Sequence, residues 1–246
     1  MLNAAWSEPP QWPELRADEV HVWLAHLPSA RPHLDRYSSV LSTDEQSRAA
    51  RFRFEQHRER WVLSRGTLRM VLSRYVGAVP SQIEFNYNAQ GKPALREPRV
   101  PGFYFNASHS GDYAAFAVTL IGAVGVDIES VRAEMPQMED IAARYFAPSE
   151  REELLAMPSA ERTRAFFQLW TCKEAFVKAH GEGLFSGLDR FEVAIQSSRL
   201  LTVDGAPADG WWMTALPEVP ALAGGLVVET GHCSPRFLRW TEAFRA

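Results

Sequence analysis

The sequence predicts an α+β fold, because predicted helices and strands are mixed along the chain without strict alternation. A second observation is a short repeat: A-A-R-F-R-F at 49–54 resembles A-A-R-Y-F at 142–146. Each copy opens a segment that leads to a long predicted helix ending near a glycine, Gly77 or Gly181. A match this short can be accidental, so by itself it is weak evidence for two similar halves.

The elements follow from local patterns. A Pro-rich, polar lead-in covers 7–18, and S-T-D-E at 42–45 is typical of a helix N-terminus. From Arg48 to Tyr75, apolar residues recur near helical spacing and predict a helix. Two further helices are predicted at 138–156 and 160–180. Short apolar runs bounded by turn residues predict strands at 20–27, 83–87, 103–110, 113–120, 123–129, 191–196, 211–215, 222–229 and 236–240.

Composition excludes several classes of protein. The 246 residues suit one large domain or two of about half that size. A net charge of −4 argues against a general nucleic-acid binder, and two cysteines are too few for a disulfide framework or a zinc site. The sequence shows no signal peptide and no apolar run of about 18 residues, so we expect a cytoplasmic protein that does not span a membrane.

The segment G-V-D-I-E at 125–129 places two acids on a predicted strand. Alternate side chains of a strand share a face, so Asp127 and Glu129 point the same way. Two adjacent carboxylates repel unless a cation or a proton lies between them, and oxygen ligands suit Mg²⁺. A strand that emerges into solvent would carry the same two acids.

Trp170–Leu184, W-T-C-K-E-A-F-V-K-A-H-G-E-G-L, carries two of the three lysines in a chain with 23 arginines. Glu174 and Lys178 are one helical turn apart, which a surface ion pair would also explain. The helix is unusually apolar, however, and ends in H-G-E-G, where glycines permit a tight exit. A lysine ammonium is suited to a phosphate oxygen.

Three further stretches carry polar or basic groups. F-N-A-S-H-S-G at 105–111 could present hydroxyl and imidazole groups to an anion, or form a turn with locally bonded serines. G-K-P at 91–93 places a lysine in a turn, where it could offer an ammonium and backbone groups to a nucleotide. Residues 48–74 contain eight arginines, which predict a solvated face, a nucleic-acid patch or a polyphosphate pocket. The acidic balance of the chain favours a small, highly charged ligand. Together, the motifs supply carboxylates for Mg²⁺ and cations for several phosphates, as phosphoryl-group chemistry requires.

The same motifs, in this order, resemble those of the 4′-phosphopantetheinyl transferases. G-V-D-I-E and, about forty residues later, W-T-C-K-E-A-F-V-K-A-H-G-E-G-L match the signature pair of that family. G-K-P, F-N-A-S-H-S-G and R-Y-F-A-P-S-E (144–150) match as well, and the likeness runs from about residue 20 to about residue 193. The length is similar to that of the larger, Sfp-type members.

The resemblance implies a pseudo-twofold pair of similar α+β halves, 1–123 and 124–246, with coenzyme A in the cleft between them. It implies transfer of the 4′-phosphopantetheine arm of coenzyme A to a serine of an apo acyl or peptidyl carrier protein. The products would be holo carrier and adenosine 3′,5′-bisphosphate. The carrier could serve fatty-acid, polyketide or nonribosomal-peptide synthesis.

The resemblance also implies roles for particular residues. The Mg²⁺ ligands would be Asp127, Glu129 and Glu174, and Glu174 is also a candidate general base. Lys178 would hold the pyrophosphate and stabilise the leaving bisphosphate. Contacts to coenzyme A would come from Lys92 and Pro93 at the adenine, from Ser108 and His109 at the phosphates, and, in this order of preference, from Arg53, Arg60 and Arg65 at the 3′-phosphate. Glu150 matches a family acid whose role is open, and it or a metal-bound water could be the base instead of Glu174. Trp61 falls near where the Sfp type has a small hydroxyl residue.

Several expectations stay open at this level. Another Mg²⁺-dependent nucleotide or phosphate enzyme, or a non-catalytic coenzyme A-binding module, would use much of the same residue set. Lys173 is expected to extend past the core to an exposed phosphate or to the carrier. The apolar residues Val131, Met135 and Met138 make loop 130–141 a candidate docking surface for a carrier, although an ordinary surface loop would also contain them. Two halves in one chain can close their own cleft, so we expect a monomer.

Overall fold

A computed structural model describes residues 6–9, 11–181 and 187–241 of the chain. The first half begins with strand β1 and ends with the pair β4 and β5. Between them lie three short helices, one long helix and a two-stranded hairpin. The elements are β1 (Glu19–His26), α1 (Leu27–Ala30), α2 (Leu34–Ser39), α3 (Thr43–Ala49), α4 (Glu55–Val76), β2 (Glu84–Tyr87), β3 (Pro93–Glu97), β4 (Tyr104–Ser110) and β5 (Tyr113–Thr119).

The second half repeats this order with its own strand, short helices, long helix and hairpin. Its elements are β6 (Val124–Ser130), α5 (Met138–Tyr145), α6 (Pro148–Ala156), α7 (Ser159–His180), β7 (Phe191–Ala194), β8 (Arg199–Val203), β9 (Ala206–Pro207), β10 (Trp212–Ala215), β11 (Leu222–Val228) and β12 (Ser234–Arg239). The long helices α4 and α7 have 22 residues each. Each is followed by a left-handed glycine, Gly77 at φ 66° and Gly181 at φ 86°.

The two main sheets confirm the expected pair of halves. One sheet has the order β12-β1-β5-β4 and the other β10-β11-β6. The order β1-β5-β4 therefore matches β6-β11-β10. The first strand pairs with β5 in one half and with β11 in the other. The terminal strand β12 departs from the repeat, because it returns to the first half and pairs in parallel with β1. The boundary at residue 123 stays a prediction.

Most predicted elements are present, and the exceptions have local causes. The helix predicted at 138–156 is two helices, because the backbone is extended at Phe146 and Ala147 before Pro148 opens α6. A residue before proline is disfavoured in the helical region, so the chain breaks there. The predicted helix start at 42–45 is correct, since Ser42 and Glu45 form a capping box at α3. The helix predicted from 48 to 75 is interrupted, because α3 ends at Ala49 and α4 begins at Glu55, after Phe54 in an extended conformation. The sequence did not reveal β3, β8 or β9.

Three apolar clusters hold the layers together. The first lies between α4 and the first sheet, with Trp23 and Phe116 among its members. The second surrounds α7 in the second half. The third lies between the two sheets and takes Val126 and Ile128 from β6. Alternate residues of one strand thus face different layers, as expected for buried strands.

A row of side chains joins the two halves where β4 lies beside β6. The main-chain N–H groups of Val126, Ile128 and Ser130 donate to side-chain oxygens of alternate β4 residues. The acceptors are Asn106 Oδ1 at 3.0 Å, Ser108 Oγ at 3.3 Å and Ser110 Oγ at 2.9 Å, respectively. These bonds satisfy donors on the β6 edge that burial would otherwise leave unpaired. We call this row the seam.

Helix α7 lies directly on β6 and β11 because two strand residues under it are glycines. A Cβ atom at Gly125 would lie 1.9 Å from the carbonyl oxygen of Ala175. At Gly225 it would lie 2.7 Å from both Cα and N of Cys172. Both obstacles are backbone or Cα atoms, which cannot turn away as the end of a side chain can. Close packing of α7 therefore depends on these glycines.

We expect Gly225→Ala to lower the free energy of unfolding by about 1–3 kcal/mol, the usual cost of overpacking. Urea unfolding followed by circular dichroism measures this change. The matched control is Gly210→Ala, since nothing lies within 4 Å of a Cβ atom there. Equal stabilities of the two variants would contradict the packing explanation.

Candidate active site at the seam

Strand β6 brings the two acids of G-V-D-I-E to one face, as the alternation predicts. Val124, Val126 and Ile128 enter the cluster between the sheets, whereas Asp127 and Glu129 face the other way, on the side of α7. Asp127 is 5% exposed and its Oδ1 atom accepts a hydrogen bond from Ser108 Oγ at 2.7 Å. Glu129 Oε2 accepts one from Ser110 Oγ at 2.7 Å. The seam thus orients both carboxylates.

Helix α7 adds an acid and a cation to the same place. Lys178 Nζ lies 2.6 Å from Asp127 Oδ1 and donates to Ser108 Oγ at 3.0 Å. Glu174, one turn earlier, is buried. Its pKa is raised to about 7, mainly because burial penalises the charged form. The negative charges of Asp127 and Glu129 raise it further, while Lys178 lowers it. We call Asp127, Glu129, Glu174 and Lys178 the acid cluster.

The acid cluster has the chemistry of a hard-cation site. Three carboxylates face a single lysine, and the negative charges of Asp127 and Glu129 add to burial in raising the pKa of Glu174. A divalent cation among them would relieve this repulsion, so the residues fit Mg²⁺. Within the described parts of the chain, however, no three His, Cys, Asp or Glu side chains are already grouped as ligands. Asp127 is turned to Ser108 and Lys178, and Glu129 to Ser110.

The F-N-A-S-H-S-G segment divides its side chains between two tasks. Ser108 is buried and its hydroxyl is shared by Asp127, Lys178 and the N–H of Ile128. His109 points the other way, is exposed, and lines a cavity of about 410 Å³ together with His57 and Arg60. Two neighbouring residues of β4 therefore face different places: Ser108 the acid cluster and His109 the smaller cavity.

A larger cavity, of about 830 Å³, lies in the first half between α3, α4 and the β2–β3 hairpin. Arg48 and Trp61 line both cavities, and the Arg48 guanidinium lies 5.5 Å from the centre of the Trp61 ring. The wall of the larger cavity combines basic residues with aromatic rings and hairpin backbone. It includes Arg48, Arg51, Arg65, Arg69, Arg96, Phe85, Tyr87, Gly91 and Pro93. The two cavities therefore adjoin at Arg48 and Trp61, and His109 lies in the wall of the smaller one.

The arginines of the larger cavity differ in whether an acid already neutralises them. Arg65 and Arg69 both pair with buried Glu45. Burial alone would raise the pKa of Glu45, but the bonds and charges of its partners, led by the hydrogen bond from Arg69 and the charge of Arg65, lower it. Arg96 pairs with Glu84. Within the described residues, Arg48 and Arg51 make no ion pair with an acid. They are the cations most available to a phosphate.

The arginines named from the sequence have other surroundings. Arg53 lines neither cavity, and its guanidinium lies 5.4 Å from the centre of the Phe54 ring. Arg60 lines the smaller cavity but pairs with Asp112 at 2.6 Å. Arg65 lines the larger one but is held by Glu45. Arg48 and Arg51 belong to the same arginine run, yet nothing in the sequence shows which arginines are neutralised by distant acids.

Lys92 is not directed at the cavity. Its ammonium donates to main-chain carbonyl oxygens at the end of α7 and the start of β6: Lys178, Ala179 at 3.3 Å and Val124 at 3.4 Å. The adjacent Gly91 and Pro93 do line the larger cavity. Of the two groups that G-K-P could offer a ligand, the ammonium is engaged elsewhere, while the turn itself borders the cavity.

The expectation for Lys173 is wrong. Its side chain is 0% exposed and its ammonium lies 2.8 Å from Glu150 Oε1. It also donates to the carbonyl oxygens of Leu188 and Phe191, both at 2.7 Å. Glu150 accepts further bonds from the N–H groups of Ala147 and Val193. Lys173 therefore cannot reach a carrier, and Glu150, enclosed by donors and 2% exposed, is not placed to act as a general base.

Burial of Glu174 predicts that the acid cluster destabilises the metal-free protein. Since the pKa of Glu174 rises from 4.5 to about 7 on folding, the folded state holds a proton that the unfolded chain releases within this window. The stability conferred at low pH is therefore lost as pH rises from 4.5 to 7. We expect the free energy of unfolding of Glu174→Gln to exceed that of wild type by up to about 3 kcal/mol at pH 8. Near pH 4.5 the two free energies should be equal. Urea unfolding in a chelator measures both values.

The control for this comparison is Glu134→Gln, because Glu134 is exposed. A Glu174→Gln protein that is less stable than wild type at pH 8 would contradict the electrostatic assignment.

No described helix is long and apolar enough to cross a membrane. Both cysteines, Cys172 and Cys233, are buried free thiols.

Comparison with known proteins identifies the family. Residues 27–120 match a family model described as 4′-phosphopantetheinyl transferase, N-terminal, and residues 123–216 match the 4′-phosphopantetheinyl transferase superfamily model. The 4′-phosphopantetheinyl transferase HetI of Nostoc sp. is 38% identical over 239 residues, which cover 96% of this chain and 99% of the relative. Psf-1 of Bacillus pumilus is 33% identical over 71% of this chain and 72% of its own length. Sfp of Bacillus subtilis is 32% identical over 72% of this chain and 76% of its own length. Such identity over nearly the whole of a named relative shows that the chain belongs to the 4′-phosphopantetheinyl transferases.

Proposed function

We propose that this protein transfers the 4′-phosphopantetheine group of coenzyme A to a serine of an apo carrier protein. The observation that carries the proposal is that the chain combines the acid cluster at the seam with an arginine-lined cavity in the first half. Coenzyme A has a pyrophosphate in its middle and a 3′-phosphate and adenine at one end. The two places offer groups suited to each of these parts, contributed by both halves of the chain.

The larger cavity suits the nucleotide end. Arg48 and Arg51 are exposed, make no ion pair with an acid within the described residues, and are suited to bind the 3′-phosphate. The ring faces of Phe85 and Tyr87 and the backbone at Gly91 and Pro93 are suited to the adenine. The pyrophosphate would then lie near His109, Ser108 and Lys178.

Asp127, Glu129 and Glu174 are the residues that would hold Mg²⁺. When bound, the ion would neutralise charge on the pyrophosphate and make its phosphorus easier to attack. The carboxylates would first turn from their present partners, Ser108, Ser110 and Lys178. These partners are hydroxyls and an ammonium, which can donate equally well to phosphate oxygens.

The protein groups of the acid cluster suit the proton and charge transfers of the reaction. The carrier serine oxygen would form a bond to the phosphorus that bears the pantetheine. The bond from that phosphorus to the bridging oxygen would break, and adenosine 3′,5′-bisphosphate would leave. Glu174 is the candidate acceptor of the serine proton, as the family resemblance implies, because it is a carboxylate of the acid cluster one turn from Lys178. The Lys178 ammonium would stabilise the negative charge that develops on the leaving group.

Loop 130–141 remains our candidate docking surface for the carrier. It follows Glu129 directly, so a carrier bound there would present its serine near the acid cluster. Val131, Met135 and Met138 are half-buried and pack against the core around α7, so they also anchor the loop. We also propose a monomer, because one chain supplies every group named above, and a cytoplasmic location, where coenzyme A is available.

The deciding experiment incubates the protein with coenzyme A, Mg²⁺ and an apo acyl or peptidyl carrier, and weighs the intact carrier by mass spectrometry. Addition of one phosphopantetheine is the expected result. An unmodified carrier with cleaved coenzyme A would instead indicate a hydrolase of phosphate compounds, and binding of coenzyme A with neither product would indicate a non-catalytic module. The Glu174→Gln variant should bind coenzyme A and transfer poorly.

We expect Arg48→Ala to raise the KM for coenzyme A by about 10–100-fold, the usual value of a hydrogen bond to a charged group. The same variant should handle 3′-dephospho-coenzyme A about as wild type does, because this analogue lacks the phosphate that Arg48 would bind. Steady-state kinetics with both substrates measure the difference, and Arg53→Ala is the matched control. If Arg53→Ala no longer distinguished coenzyme A from 3′-dephospho-coenzyme A while Arg48→Ala still did, Arg53 would be the 3′-phosphate ligand, as the sequence suggested.

A further inference from the structure

We propose that the β2–β3 hairpin couples ligand binding in the arginine-lined cavity to the position of Lys178, with Lys92 as the positioning residue. The coupling runs through the contacts that Lys92 and Asn88 make with the end of α7, and we call these contacts the clasp. The proposal rests on the function proposed above, because it assigns coenzyme A to that cavity. It gives the Lys92 side chain a role that does not involve contact with the ligand.

The first half of the clasp is the Lys92 ammonium. It lies among three carbonyl oxygens, from Lys178 and Ala179 in the last turn of α7 and from Val124 at the start of β6. Carbonyls in the last turn of a helix have no partner within the helix, and a cation there also favours the helix dipole. The three N–H bonds of the ammonium are matched by three acceptors, so none is left for a phosphate.

The second half of the clasp is Asn88, whose Nδ2 donates to the carbonyl oxygen of Gly181 at 3.2 Å. The orientation of this amide is fixed, because its Oδ1 accepts from the N–H groups of Gln90 at 3.0 Å and Lys92 at 2.8 Å. The turn of the hairpin is thereby held in one shape. Both halves of the clasp meet the end of α7 within four residues of each other, 178–181.

The other side of the same hairpin forms part of the larger cavity. Phe85 and Tyr87 from β2, Gly91 from the turn and Pro93 at the start of β3 all line it. A ligand packed on these residues restricts the hairpin, and the hairpin restricts the last turn of α7. Lys178 lies in that turn, with its ammonium 2.6 Å from Asp127. Cavity and acid cluster are thus connected through one short piece of chain.

The clasp also explains why position 92 is a lysine in a chain with only three lysines and 23 arginines. An ammonium is compact, and its three donors can converge on three carbonyl oxygens. A guanidinium is planar and larger, and its donors are fixed in a fork that matches carboxylate or phosphate. A nucleotide contact would not require this choice.

The test compares Lys92→Met and Asn88→Asp with Gln90→Ala, an exposed residue of the same turn that is not part of the clasp. Asn88→Asp keeps the Oδ1 acceptor of the turn and replaces the donor to Gly181 by a carboxylate oxygen, which cannot donate and adds a negative charge at the end of α7. Hydrogen–deuterium exchange of the last turn of α7 is measured with and without coenzyme A. Calorimetry gives the Kd of coenzyme A, and carrier modification gives kcat.

In wild type and Gln90→Ala, coenzyme A should slow exchange in the last turn of α7. In Lys92→Met, exchange without ligand should be about tenfold faster, as expected when a charged hydrogen bond is lost, and coenzyme A should no longer slow it. We expect kcat to fall by about tenfold while the Kd of coenzyme A changes less than about threefold. Asn88→Asp should show the same pattern to a smaller degree, which covers the case in which Lys92→Met does not fold.

The clasp is wrong if Lys92→Met weakens coenzyme A binding at least tenfold and leaves exchange in α7 as in wild type, since the ammonium would then contact the ligand. It is also wrong if neither variant changes exchange. If wild type fails to bind coenzyme A, the proposed function fails instead, and exchange measured without ligand still decides whether Lys92 and Asn88 hold the helix end.

Discussion

The seam between β4 and β6 is the constraint on which the rest of the site depends. Edge N–H groups of β6 are buried, and an unpaired buried donor costs about 1–3 kcal/mol. Side chains of Asn106, Ser108 and Ser110 satisfy three of them in a strict alternation. Because strand periodicity is two, slipping the seam by one residue would replace these acceptors by Ala107 and His109. The seam therefore fixes the register of the two halves, and with it the position of Asp127 and Glu129.

Close packing of α7 against β6 determines the electrostatics of the cluster. The glycine at 125 lets the helix backbone approach the strand, which brings Glu174 and Lys178 near Asp127. Burial then penalises a charged Glu174 and raises its pKa, and the neighbouring acids add to the effect. A site that is poorly compensated without a cation is well prepared to bind one. Stability of the metal-free protein and affinity for the metal are in this sense opposed.

The sequence was sufficient where local patterns decide the structure. Alternation in G-V-D-I-E placed Asp127 and Glu129 on one face, and the mixed order of helices and strands predicted the α+β class. Helical spacing placed Glu174 and Lys178 together. These features depend on neighbours in sequence, so they can be recognised without knowledge of the tertiary contacts.

The sequence was insufficient where residues far away in the chain determine which contacts a side chain makes. In the sequence, nothing distinguishes Arg60, Arg65 and Arg69 from Arg48 as possible phosphate ligands. In the structure, Glu45 neutralises Arg65 and Arg69, and Asp112 neutralises Arg60. Lys173 stands beside Glu174 in sequence, but successive helix residues point about 100° apart, which turns it into the core toward Glu150. The Lys92 ammonium meets carbonyls 86 and 87 residues away. None of these partners follows from composition or periodicity.

The central claim is that the acid cluster holds a divalent cation together with the phosphates of coenzyme A. Electron paramagnetic resonance of Mn²⁺, used in place of Mg²⁺, measures this directly with coenzyme A present. We expect one tightly bound ion per chain in wild type, and binding at least about tenfold weaker in Asp127→Asn, because a carboxylate ligand is lost. Equal Mn²⁺ affinity in the two proteins, or no tight site in wild type, would contradict the claim.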